Sequence, residues 1–214
     1  MFLIMEPTSI EQKQIAAARA VDEAEMPTTI EGWYQARCRA PSDIYQHLPL
    51  LRRFAEQCFT VTELGVRTVV STWAFLAGLQ GRDGRLLSVD YIHPKECGGD
   101  LEAVARLAQA AGIKFEFRLA DDREIELLPT DLLFIDTWHV YEQLKAELTR
   151  HADKAQKFII LHDTETFATQ GETEGHSGLL KALDEFLYSA EGQKWFVREQ
   201  HKNCNGLTVL ERRA

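Results

Sequence analysis

The sequence has no CxxC pair. Its four cysteines, Cys38, Cys58, Cys97 and Cys204, are irregularly spaced, which argues against a disulfide framework or a structural zinc and for free thiols in a reducing cytoplasm. No apolar run approaches the roughly 20 residues that span a bilayer. The apolar start Met1-Phe-Leu-Ile-Met5 has no basic flank and makes a poor signal peptide. Positive charge is scarce too: 24 Lys and Arg against 33 Asp and Glu leave a net charge of −9. Such a surface disfavours nonspecific nucleic-acid binding and anionic membranes, so neither is an expected partner. There is no GxGxxG, and so no dinucleotide site of that kind. Internal repeats and low-complexity tracts are absent.

What is present is ordinary for a globular chain. Of 214 residues, 45% are apolar and 27% charged, enough for one well-filled domain plus an extension. The extension is 1–55 and the domain 56–214. A polar helix is expected over 6–26, ending near Pro27. Residues 28–58 carry Trp33, Tyr34, Tyr45, Leu48, Leu50, Leu51 and Phe54. Pro41-Ser42-Asp43 reads as a helix start with Ser42 or Asp43 as cap. The extension reads either as a lid or dimer arm, compatible with a homodimer, or as helices covering one sheet edge.

From residue 59 onward, strands and helices alternate. Strands are expected over 59–64, 85–90, 114–119, 131–136 and 157–163. Helices are expected over 72–80, where Ser71 can cap, and over 101–111, 140–155 and 179–187. Residues 164–178 are polar, hold Gly171, Gly175 and Gly178, and read as a mobile loop. Residues 195–199 and 207–211 flank Asn203-Cys-Asn-Gly206 and read as a closing antiparallel hairpin. The pattern implies an α/β, doubly wound sheet of seven strands, mostly parallel, with an antiparallel edge and an N-terminal helical extension.

The organising stretch is Asp131-Leu-Leu-Phe-Ile-Asp136-Thr-Trp-His139, followed by Lys157-Phe-Ile-Ile-Leu-His162-Asp163. Both are buried-strand runs with polar C-terminal ends. In an open α/β sheet, ligands bind outside the carboxyl ends of the strands. Asp136, His139, His162 and Asp163 are therefore candidates for one site. His139 suits proton removal from a hydroxyl, since an unperturbed imidazole titrates near pH 6.5. His176, in the glycine-containing loop, is a candidate lid residue; Trp138 and Trp73 read as packing.

Three pieces resemble the class I methyltransferases that use S-adenosylmethionine, over roughly residues 55–213. Glu63-Leu-Gly65 with Ser71-Thr72 is similar to the turn around the cofactor. Leu87-Ser-Val-Asp90 is similar to the strand whose terminal acid accepts from the ribose. Phe134-Ile-Asp136-x-x-His139-x-Tyr141 with Leu161-His162-Asp163-Thr164 resembles the branch of cephalosporin hydroxylase-like proteins and metal-dependent sugar and macrolide O-methyltransferases, as does Ser42-Asp43-Ile44. The resemblance implies a Rossmann-like fold and methyl transfer from S-adenosylmethionine to a hydroxyl of a small-molecule acceptor, such as a sugar or natural product. It implies cofactor contacts from Glu63, Gly65, Ser71, Asp90 and Asp121 or Asp122. It implies a divalent metal, Mg or another, held by Asp136, Asp163 and His162, with His139 and Asp136 catalytic.

Two departures open a second reading. Val66, Arg67, Val69 and Val70 stand where further glycines are usual, and His162 stands where the branch has an acid. A histidine donor shifts metal preference from magnesium toward a transition metal. The second reading is a cofactor-binding or assembly protein that keeps the fold and lacks catalysis.

Overall fold

The alternation of strand and helix signals resolves, in the computed structural model, into one seven-stranded sheet of order β3-β2-β1-β4-β5-β7-β6. The structure describes residues 26–213, so nearly all of the helix expected over 6–26 lies outside the described residues. The strands are β1 (Thr60–Leu64), β2 (Arg85–Asp90), β3 (Lys114–Leu119), β4 (Thr130–Ile135), β5 (Ala155–His162), β6 (Trp195–His201) and β7 (Leu207–Arg212). Strands β1 to β5 run parallel, and β7 pairs antiparallel with both β5 and β6. Among the described residues there are six α-helices: α1 (Ile30–Arg39), α2 (Leu48–Ala55), α3 (Val70–Leu79), α4 (Leu101–Ala110), α5 (Tyr141–His151) and α6 (Leu179–Tyr188). This is the Rossmann-like α/β arrangement expected from the sequence.

The apolar runs are continuous because both sheet faces are covered. In β4, Leu132 and Phe134 face the core that holds α1 to α4, while Leu133 and Ile135 face the core that holds α5 and α6. In β5, Phe158 and Ile160 divide from Ile159 and Leu161 in the same way. That is the two-residue period of a strand, apolar on both sides.

Helix α3 is buried along its whole length, because the sheet lies on one side and α1 and α2 pack on the other. Trp33 of α1 stacks on Trp73 of α3, with centroids 5.0 Å apart and planes 4° apart. Gly78 lets α2 and α3 close up; a Cβ there would press on Ala55 and the Arg52 carbonyl. Helix α2 also reaches the sheet through Phe54, which meets Phe158 edge-on at 4.8 Å. No helix among the described residues is long and apolar enough to cross a membrane.

Three local expectations are corrected. No helix starts at 41–43: a 3-10 turn at Tyr45–His47 leads into α2, and Asp43 pairs with Arg67 instead of capping. Ser71 does not cap α3; the N-cap is Val69 in the left-handed region, and the Ser71 hydroxyl donates to Glu63. Helix α5 ends at His151, with a 3-10 turn, Ala152–Lys154, leading into β5.

Candidate active site

Strands β4 and β5 are neighbours in register, so their carboxyl ends deliver Asp136 and Asp163 side by side. Their flanking histidines close the group. His139 Nε2 lies 2.8 Å from Asp163 Oδ2 and 3.4 Å from Asp136 Oδ1. His162 Nδ1 lies 2.9 Å from Asp163 Oδ2 and 3.2 Å from Asp136 Oδ1. Asp163 has φ 60, a left-handed conformation that costs a non-glycine residue on the order of 1 kcal/mol and is typical of functional sites. The structure thus brings together four of the residues singled out in the sequence.

Hydrogen bonding fixes the protons. His162 Nε2 faces the Cys204 carbonyl at 3.0 Å, so it carries a hydrogen and donates. Its Nδ1 faces two carboxylates, which repel a lone pair, so that nitrogen is protonated as well. Burial disfavours charge on His162, but the carboxylates of Asp136 and Asp163 outweigh it and hold its pKa well above the ordinary value. His139 behaves alike: burial opposes its charge, and Asp136, Asp163 and Glu172 together raise its pKa well above the ordinary range. Burial pushes the two aspartates up, yet the His162 charge and the bonds from both histidines leave them well below usual carboxylate values. Two acids and two imidazoles neutralise one another in a space nearly closed to water.

Asp136, His139 and Asp163 each offer one ligand atom within 4.8 Å of the others. Asp163 Oδ1 is buried without a partner, although buried polar atoms are normally hydrogen-bonded. This donor set can hold a cation.

The 164–178 loop lies against the cluster, not away from it. The Phe167 ring stacks on His139 at 4.9 Å and 8°. Glu172 Oε2 lies 2.9 Å from His139 Nδ1. Trp138 Nε1 donates to Thr173 Oγ1 at 3.2 Å, and the Trp138 ring tilts against His176. His176 itself bonds Glu142. Below the cluster, Thr137, His139, Glu147 and His162 help line a cavity of about 10 Å³, room for one water at most.

Other residues singled out in the sequence sit elsewhere. Glu63 is fully buried and accepts from Ser71 Oγ (2.6 Å), Ser88 Oγ (2.6 Å) and Thr72 Oγ1 (2.9 Å). Asp90 Oδ2 accepts from the amides of Val66 (2.8 Å) and Arg67 (3.0 Å), and Oδ1 from that of Ile92 (2.9 Å). Gly65 has φ 84, and a Cβ there would collide with the Asp136 carbonyl; only glycine lets β1 pass so close to β4. Asp121 pairs with Arg123. Asp122 is buried against Gln143 in a network with Glu147, whose pKa burial and Asp122 raise well above normal.

Three contributors carried no sequence signal. Glu172 is one acid among several in a polar loop. The Cys204 carbonyl is backbone. His47 sits before α2, yet its Nε2 lies 2.8 Å from the Asn203 carbonyl and its ring meets that of His162 edge-on at 5.8 Å.

No family profile matches the chain, and no curated protein does. Solved structures do. A SAH-bound methyltransferase from Podospora anserina aligns with TM-score 0.62 at 11% identity, over 100% of both chains. An O-methyltransferase from Bacillus cereus in complex with SAH aligns with TM-score 0.62 at 15% identity, over 95% of this chain and 100% of that one. TomG from Streptomyces achromogenes, an O-methyltransferase involved in tomaymycin synthesis, aligns with TM-score 0.52 at 15% identity, over 99% of this chain and 93% of that one. The chain has the Rossmann-like fold of these methyltransferases, with a two-acid, two-histidine cluster at the carboxyl ends of β4 and β5.

Proposed function

We propose that the protein is an S-adenosylmethionine-dependent O-methyltransferase acting on a hydroxyl of a small molecule, such as a sugar or natural-product alcohol, with a divalent cation at the acidic cluster. The observation that carries this reading is the convergence of Asp136, His139 and Asp163 at the carboxyl ends of β4 and β5, in a sheet whose carboxyl ends are the usual ligand side. When bound, the cofactor supplies a methyl group on a sulfonium leaving group, and the cation supplies positive charge that makes a hydroxyl more acidic.

Both groups can be tested against the residues present. Asp90 accepts three amide bonds; a carboxylate has about four acceptor positions, which leaves one for a ribose hydroxyl. Asp163 has a buried oxygen with no partner, and Asp136 faces the same space. Two carboxylate donors suit magnesium or manganese.

The chain's own residues then have distinct work. Asp136 and Asp163 would hold the cation, with His162 bracing both. With a cation on the two aspartates, their charge would no longer hold the His139 ring protonated, and Nε2 beside them would accept the proton of the hydroxyl. The 164–178 loop excludes water from the cluster, and the enzyme mainly positions the reactants.

Calorimetric titration with S-adenosylhomocysteine, with and without manganese, tests the reading. We expect micromolar cofactor binding, plus a manganese signal lost in Asp136→Asn. No cofactor binding at any metal concentration would overturn it. A second reading, a cofactor-binding protein without catalysis, is favoured by one observation: the turn after β1 is built from Val66, Arg67 and Val69 and occupies Asp90 with its own amides. Tight cofactor binding with no manganese signal in the wild type would select it.

A further inference from the structure

We infer that Glu172, carried on the 164–178 loop, is a positioning residue that fixes the proton of His139 on Nδ1 and so turns Nε2 toward Asp136 and Asp163. Three bonds join the two residues. The Glu172 amide donates to the His139 carbonyl at 3.0 Å. Glu172 Oε2 accepts from His139 Nδ1 at 2.9 Å and from the His139 amide at 3.4 Å. An ionised carboxylate only accepts, so the nitrogen it meets must carry a hydrogen. The other nitrogen, 2.8 Å from Asp163 Oδ2, is then the one whose hydrogen or lone pair faces the cluster. Phe167, stacked on the ring at 4.9 Å, blocks the flip that would exchange the two nitrogens.

A carboxylate behind a histidine is a general device for choosing which ring nitrogen acts. Here it is not built into the strands that bear the cluster. It arrives on a loop 33 residues further along the chain, so the histidine is correctly poised only when the loop is docked. The inference rests on reading His139 as the proton acceptor, and it makes that capacity conditional on the loop.

The test is spectroscopic and needs no acceptor. Protein labelled with ¹⁵N-histidine is compared as wild type, Glu172→Gln and Glu172→Ala, with His139→Gln to assign the signal. The wild type should show a His139 Nδ1–H resonance protected from solvent exchange. Glu172→Gln, whose side-chain oxygen still accepts, should keep it. Glu172→Ala should exchange it about 10- to 100-fold faster, the loss of one charge-assisted bond. Backbone exchange at residue 172 separates this from loss of docking: its amide bond to the His139 carbonyl should stay protected in Glu172→Ala. An unchanged Nδ1–H signal in Glu172→Ala, or a wild-type ring protonated on Nε2 alone, would overturn the inference. S-adenosylhomocysteine titration of the same samples reports separately on the methyltransferase reading. A wild type with the expected Nδ1–H signal and no cofactor binding would sink that reading and leave the role of Glu172 in fixing the ring standing.

Discussion

Glu63 shows what a single side chain can impose. Burial pushes its carboxyl up to about 7, against the hydroxyls of Ser71, Ser88 and Thr72, which pull the other way. Between pH 4.5 and 7 the folded state keeps a proton that the unfolded chain has released. Stability therefore falls as pH rises through that window, by on the order of 3 kcal/mol, and the loss persists above it. Glu63→Gln removes the titration. We expect its melting temperature to vary less between pH 5 and pH 7.5 than that of the wild type; parallel curves would mean that Glu63 does not hold its proton in the fold. The same residue marks the limit of sequence reading. Asp136, His139, His162 and Asp163 were legible because they end buried apolar runs, and neighbouring parallel strands must bring such ends together. Glu63 and Ser71, eight residues apart, read as ligand groups, but their side chains bond each other in the core. Nothing in their spacing says that a side chain at the end of β1 and one in the first turn of α3 will turn toward each other.

At the scale of elements, the order of strands and helices was legible and the joints were not. Periodicity gave β2 and β3 at their observed bounds: β2 is a buried run, and β3, at the exposed edge of the sheet, alternates apolar Phe115 and Phe117 with charged residues. The turn from β1 to α3 was harder: Arg67 and Val69 adopt positive φ without being glycine, in a turn where Asp90 draws in the amides of Val66 and Arg67. That partner lies 23 or 24 residues away. Gly65, by contrast, has a local reason, the passage of β1 beside the Asp136 carbonyl. Gly65→Ala combines an unfavourable φ with a collision, and we expect a loss of about 2–4 kcal/mol in urea unfolding. A change within about 0.5 kcal/mol would show that β4 can give way there.

At the scale of the molecule, the segment read as an extension is continuous with the main core. Ile30, Trp33, Tyr34, Ile44, Leu48, Leu51 and Phe54 are buried in the same cluster as Val61, Trp73 and Phe158. Even at about 1.5 kcal/mol each, these side chains supply roughly 10 kcal/mol, as much as the whole stability of a typical domain. A chain starting at residue 56 is expected to lose cooperative unfolding in calorimetry; a sharp transition at the wild-type temperature would make residues 26–55 dispensable.

The sheet order carries a last consequence, one of timing. Strand β7 is inserted between β5 and β6, and its antiparallel course sets the turn at 203–206 beside the carboxyl end of β5. The carbonyls of Asn203 and Cys204 there receive His47 and His162. On the ribosome, every acid and histidine of the cluster emerges before the Cys204 carbonyl that holds the His162 ring. A nascent chain therefore has all of the chemistry before its geometry is complete: a product cut short before residue 207 lacks the strand that sets the Cys204 carbonyl against His162.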